Sequence, residues 1–478
     1  MTTKAAEQPA GEQPSLVKGL SLLDAVMLLV GGVIGSGIFL TAGRIATELK
    51  RADLFILVWI AGGAISLLAC FAVAELGGMY PQAGGQYIFL REAYGELPAF
   101  LYGWMIFAVV QTGTIAALAV GFAQYFGAVF PAFISKEPLF GFTFVLFGKA
   151  IAWALTAQKI VAVAGIALLT FVNMIGLRRG SLLVNLATWL KFAAMAALVI
   201  FGLLFGKGDW AHFSAAAGGG TPATSTLLMA FGVALISVLF AFDGWIYVTW
   251  VAGEMKDAAR NVPRALIIGV SAIVVIYVAM NVMYVYALPM ETIIRSDAVV
   301  QAAATAMFSP RIGDSLAIMV ALSCFGAMSS AILCTARIFY AMAQDGVFFQ
   351  RMAEVHPKWR TPAFALVVQG VWSAVLALIG LYDQLLTYAI FMMVVAYLVT
   401  VGALFVLRKT KPDHPRPYRC TGYPVVPLLY LLLAGAWTLN TVWARPWESL
   451  AGLGLVLLGI PGYVYWKRQA SPAAPTTV

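Results

Sequence analysis

Residues Ala25–Gly43 read AVMLLVGGVIGSGIFLTAG, nineteen positions without a charge. A bilayer core of about 30 Å is crossed by an α-helix of about 20 apolar residues, so this block is long enough to span. Further solid blocks follow at Leu54–Ala74, Ala265–Met290 and Gln384–Leu407. Across the 478 residues, 62% are hydrophobic and 11% charged, against about 25% charged in ordinary soluble chains. That charge density cannot cover a water-soluble surface. The composition points to an all-α integral membrane protein.

Other classes fall away on the same grounds. Outer-membrane barrels show alternating segments of about ten residues, not solid blocks. Met1–Ser15 is polar, contains Pro9 and Pro14, and has no apolar core, so no signal peptide is expected. The net charge of +9 reads as loop charge beside lipid, with no nucleic-acid partner. Cys70, Cys324, Cys334 and Cys420 lack metal spacing, so neither a disulfide nor a metal site is expected, and no cofactor.

Hydropathy predicts twelve transmembrane helices, at 21–43, 54–77, 99–130, 158–177, 182–206, 225–252, 264–288, 314–340, 362–381, 384–407, 424–444 and 448–466. The apolar stretch 139–157, interrupted by Lys149, either extends the fourth helix or lies on the membrane surface. Lys and Arg favour the loops on the N-terminal side by roughly two to one, which places both termini in the cytoplasm. On that topology the basic run Arg408–Arg419 is a cytoplasmic loop carrying ordinary orientation charge.

Spans one and six depart from the others. Five of the seven residues Gly31–Gly37 are Gly or Ser, and span six carries Phe240-Ala241-Phe242-Asp243-Gly244-Trp245 at comparable depth. Interrupted helices at corresponding places in two halves are the best sequence pointer to a transporter's binding site. The expected organisation is a five-plus-five inverted repeat, 18–206 and 207–407, with discontinuous helices one and six. Two further helices and the basic loop occupy 408–467, and 1–17 and 468–478 are expected to be disordered tails.

An unwound helix at mid-membrane frees amides and carbonyls that lipid cannot satisfy. The half-helix starting near Gly37 would aim N–H groups at an anion. Carbonyls released beside it and in span six would attract a cation. A zwitterionic α-amino acid meets both demands. Lys191, inside Ser181–Phe205 with no acid nearby in sequence, is a functional candidate by its depth. It either exchanges a proton or stays charged against carbonyls of the broken span one. Asp243 would receive a cationic substrate group, pair with another residue, or cap the inner half-helix. Glu75 and Glu254, at cytoplasmic span ends, are expected to be solvated or gate-pairing, and His212, His356 and His414 to lie in solvated loops. Ile34, Phe242, Gly244, Trp245, Ser329 and Ser330 complete the candidate pocket, the two serines having helix–helix bonding as their default.

Motifs in order along the chain then carry a resemblance. They are VGGVIGSGIFLTAG (30–43), AVAELGGMYPQAGGQYIFLREAYGELPAFLYGW (72–104) and LFAFDGWIYVTWVAGEMKDAARNVPRALIIG (239–269). CFGAMSSAILCTARIFYAMAQDG (324–346) and RPYRCTGYPVVP (416–427) add to them. The chain resembles the amino acid–polyamine–organocation superfamily and, within it, the L-type amino acid transporter branch. The resemblance implies the five-plus-five fold and a secondary transporter of L-amino acids in the plasma membrane, an exchanger of neutral substrates rather than an enzyme. It places the substrate carboxylate on the amides of Gly35, Ser36 and Gly37, and the ammonium on the carbonyls of Val33, Phe240 and Asp243. Phe240 would be the aromatic gate. Lys191 would stand where sodium-coupled relatives hold a sodium ion, which favours exchange or proton coupling. Many neutral-substrate members have a small residue where Asp243 stands, while a member handling cationic amino acids has Asp, so a cationic amino acid or polyamine carrier is the alternative. Eukaryotic members bond to an ancillary glycoprotein through an external Cys. Pro131–Gln158 has none, so a bacterial-type member working without a disulfide-linked subunit is expected.

Overall fold

The computed structural model describes residues 15–130, 137–146, 149–214, 224–296, 298–380, 382–444 and 446–469. The expected tails 1–17 and 468–478 lie mostly outside them. In chain order the elements are α1 (Leu22–Val33), α2 (Gly37–Leu40), α3 (Ala42–Leu49), α4 (Ala52–Met79), α5 (Gln86–Tyr94), α6 (Glu96–Met105) and α7 (Gln111–Val129). Strands β1 (Pro138–Leu146) and β2 (Lys149–Thr156) precede α8 (Ala157–Met174), α9 (Leu177–Phe205), α10 (Thr224–Ala241) and α11 (Tyr247–Trp250). Then come α12 (Ala258–Ala287), α13 (Met290–Arg295), α14 (Val299–Met307), α15 (Pro310–Gln344) and α16 (Ala363–Ile379). The last are α17 (Tyr382–Thr410), α18 (Val425–Ala444), α19 (Pro446–Leu457) and α20 (Gly459–Gln469).

Among the described residues ten helices are long and apolar enough to cross a membrane, and Leu227–Ala241 and Ala363–Ile379 are shorter apolar helices. The two shorter ones fall on the sixth and ninth sequence spans. The longest, α15, is buried along most of its length. It packs against α7 and α9, while α12 packs against α4 and α1.

Local chemistry sets where the first helix starts and stops. Ser21 and Asp24 form a reciprocal capping box at the head of α1. Asn185 of α9 donates to the other Asp24 oxygen at 2.6 Å. At the far end Ile34 has φ −74° and ψ 76°, and the Gly35 N–H reaches back to the Val33 carbonyl at 2.7 Å. That is an inverse γ-turn. It stops the helical ladder, which restarts at Gly37. In span six, α10 ends at Ala241 and Gly244 takes φ +102° before α11 begins.

The two interruptions cross at backbone contact. A methyl group on Gly37 would come within 2.8 Å of Ala241 Cα, and one on Gly244 within about 3.2–3.3 Å of the Gly32 carbonyl and the Val33 nitrogen. Only glycine fits both the left-handed φ and the approach at 244.

The structure corrects several local expectations. In a fold that is predominantly helical, the stretch 139–157 does not extend the fourth helix: 138–146 and 149–156 pair as antiparallel strands, Phe140 with Leu155 and Phe142 with Trp153. A run of Phe, Thr and Val favours extended backbone over helix there. Glu75 and Glu254 are fully buried and ion-paired, so of the two alternatives the solvated one falls and the pairing one stands. Glu75 takes Arg408 at 2.5 Å, Arg416 at 3.1 Å and the Cys420 amide at 2.6 Å. The basic run from Arg408 therefore does more than set orientation, because it neutralises a buried acid at the end of α4. Glu254 pairs with Arg337 of α15 through two bonds of 2.6 and 3.0 Å, both side chains wholly enclosed. His212, His356 and His414 are half-buried, and His414 stacks on Tyr80 with ring centres 4.8 Å apart.

Removing one partner of a buried ion pair leaves an uncompensated charge. Glu254→Gln should therefore lower stability by about 3–5 kcal/mol, measured by unfolding in detergent. The double variant Glu254→Leu with Arg337→Met should recover most of the loss, and a double variant as unstable as the single would contradict this account of the pair.

Candidate functional site

The carbonyls freed by the turn at Ile34 are met by side chains from three other helices. Lys191 of α9 is buried and its Nζ donates to the Gly31 carbonyl at 2.7 Å and to the Ile34 carbonyl at 2.6 Å. Ser323 of α15 donates to Ile34 at 2.8 Å, with the Gly35 carbonyl at 3.3 Å. Tyr277 of α12 lies with its hydroxyl 3.1 Å from the Val33 carbonyl and 3.2 Å from the Ala241 carbonyl. One phenolic proton serves both, so Tyr277 ties the broken spans one and six to each other. Its ring is held edge-on by Trp59 and tilted against Phe242.

Of the anion-binding candidates, Gly35 already spends its amide inside the turn. The amides of Ser36 and Gly37, at the start of α2, have no protein acceptor among the described residues. Those are the orphan donors every helix start leaves. Ser36 is half-buried and its hydroxyl does not cap the helix.

Break six presents a different face. The Phe240 carbonyl accepts the Asp243 amide at 3.0 Å. Tyr397 of α17 donates its hydroxyl to Asp243 at 2.7 Å and stacks on Trp245, centres 5.3 Å apart and nearly parallel. The residue before α11 is Ile246 and no side chain caps that helix, so Asp243 pairs with another residue and does not act as an N-cap. Phe240, Asp243, Trp245 and Tyr397 line a cavity of about 40 Å³ with Ile65 and Met393. That is room for about three water molecules and not for a whole amino acid.

The remaining candidates divide. Ile34 and Gly244 sit at the crossing itself. Ser330 faces it as well, since its Oγ lies 3.3 Å from where a Gly31 methyl would be, and it donates to the Gly326 carbonyl. Ser329 turns away and accepts from Asn173 of α8 at 3.2 Å. Phe242 is packed between Trp59 and Tyr277 and does not line the cavity. Sequence reasoning missed Tyr277, Ser323 and Tyr397. The signal open to it was a polar side chain inside an apolar span, shared by many residues that only bond their own helix. The four cysteines are free and buried.

A family model described as amino acid permease matches residues 20–459. The serine/threonine exchanger SteT of Bacillus subtilis (strain 168) is 30% identical over 463 residues, covering 96% of this chain and 99% of that protein. The b(0,+)-type amino acid transporter 1 of Mus musculus is 28% identical over 458 residues, 95% of this chain and 89% of its own length. The Large neutral amino acids transporter small subunit 2 of Homo sapiens is 28% identical over 467 residues, 95% of this chain and 82% of its own. With broken helices that cross at mid-span and a family match over nearly its whole length, the chain belongs to the amino acid permease family.

Proposed function

We propose that this protein exchanges neutral L-amino acids across the cell membrane by alternating access. The observation that carries the reading is the crossing of the two broken spans. There the amides of Ser36 and Gly37 have no acceptor among the described residues, and Gly37 meets span six at Ala241, next to Phe240 and two residues before Asp243 in the chain. The amides suit a carboxylate, and on this reading the carbonyls of Val33, Phe240 and Asp243 suit an ammonium once the breaks open. On this reading Gly35 also turns its amide to the substrate when its γ-turn opens, and Phe240 closes over the bound molecule. Substrate then shifts the population between inward- and outward-open states by binding them unequally.

Twelve spans in a five-plus-five inverted repeat, with both termini cytoplasmic, accommodate this scheme, the short helices at α10–α11 and α16 completing the count. The Lys191 ammonium occupies the place among the span-one carbonyls that a metal cation would need, which supports transport without sodium. A name such as small subunit, borne by one relative, denotes a component of an assembly. The burial of all four cysteines here supports a chain with no disulfide-linked partner. Asp243 is the observation behind a second reading, a carrier of cationic amino acids.

In proteoliposomes, uptake of labelled serine should require unlabelled amino acid inside. Uptake into empty vesicles driven by a pH gradient would instead identify a proton symporter. Lys191→Ala leaves two buried carbonyls short of a charge-assisted donor, a loss of about 1.5–3 kcal/mol per bond, so exchange should fall about tenfold or more. Initial rates measured on monodisperse protein check this. Asp243→Asn should leave neutral exchange within a few-fold and abolish any arginine or lysine uptake. Undiminished cationic uptake would remove the second reading.

A further inference from the structure

The hairpin β1–β2 keeps large apolar side chains exposed even though Phe142 packs on Trp153 and Phe140, with ring centres 5.2 and 6.1 Å apart. Leu139, Phe140 and Phe142 are 63, 61 and 50% exposed. Side chains alternate between the two faces of a strand, so Phe140 and Phe142 share one face, while Leu139 is the extra residue of a bulge between the pairs Pro138–Thr156 and Phe140–Leu155.

The position of the hairpin decides what meets these side chains. Strand β2 ends at Thr156, which caps α8 by accepting the Lys159 amide, and α8 is an apolar membrane-length helix. The hairpin is also pinned sideways. Trp153 Nε1 donates to the Leu378 carbonyl at 2.8 Å, and Lys159 Nζ donates to the carbonyls of Leu378 and Ala154, each at 2.8 Å. Leu378 lies in the last turn of α16. Trp153 and Ala154 are thus held at the level where two apolar helices end. Across the ladder they face Phe142 and Gly141, and Leu155 faces Phe140. The exposed side chains therefore sit at the same level.

A two-stranded hairpin has two open edges whose N–H and C=O groups need water, which bars it from the hydrocarbon core. Its Phe140 and Phe142 rings pack on each other, and Phe142 on Trp153, yet both keep half or more of their surface exposed, and that remainder favours an apolar environment. The bilayer interface supplies both, and aromatic side chains concentrate there. We infer that the 138–156 hairpin is a membrane-surface anchor, its Leu139–Phe142 segment resting in the interfacial layer of the leaflet at which α8 begins, with phospholipid as its partner.

The test uses the full chain in nanodiscs of phosphatidylcholine and phosphatidylglycerol. The natural cysteines are buried, so a nitroxide reagent should label an introduced one selectively. Labels are placed at Leu139→Cys and, as a second position, Phe140→Cys. Ser214→Cys, exposed in the loop after α9 on the same side of the bundle, is the aqueous reference. Leu186→Cys, on the outer surface of α9, is the lipid reference. The ratio of oxygen to nickel-chelate accessibility at 139 and 140 should exceed that at 214 several-fold and approach that at 186. A ratio equal to that at 214 would place the hairpin in water and overturn the inference. Shielding from both reagents would overturn it as well, because it would mean that a protein, such as a second copy of this chain, covers the segment.

Discussion

A backbone carbonyl released inside a bilayer has nowhere to turn but to the protein, and this constraint shapes the centre of the molecule. The turn at Ile34 frees the carbonyls of Gly31, Val33, Ile34 and Gly35, and the end of α10 frees that of Ala241. An ammonium, a serine hydroxyl and a phenol from α9, α15 and α12 take them up. These carbonyls are thereby filled, while the amides of Ser36 and Gly37 have no acceptor among the described residues.

The same helices that satisfy the breaks connect them to the ends of the bundle. α17 brings Tyr397 to Asp243 and, eleven residues further on, Arg408 to Glu75 at the end of α4. Eleven residues of helix are about 16 Å. α15 carries Ser323 to the turn at Ile34 and Arg337 to Glu254, whose own carbonyl accepts the amides of Gly19 and Leu20 just before α1. Each broken span is thus joined through one helix to a buried ion pair at an end of the bundle.

Much of this was legible in the chain itself. Solid apolar blocks declare membrane helices because hydrocarbon demands length and lack of charge, which are local properties. The glycine-rich 31–37 and the Asp243-Gly244 step declare the breaks because helix propensity and left-handed φ are local too. Lys191 stood out by its depth alone, and the alternative in which it bonds the carbonyls of span one is the one the fold adopts.

What the chain could not declare is whatever depends on partners far away in sequence. Tyr277 and Ser323 look like any polar residue in an apolar span until the crossing of α1 and α10 brings carbonyls to them. Whether Glu75 and Glu254 are solvated or paired stays open in the sequence because their arginines lie 333 and 83 residues distant. The hairpin at 138–156 is apolar enough to be read as helix, and only its pairing and its tie to Leu378 make it a ladder. Local pattern fixes which segments enter the membrane and where they break. Which donor meets which orphaned carbonyl, and which base meets which buried acid, is settled only when the helices pack, because those bonds join residues that the chain keeps apart.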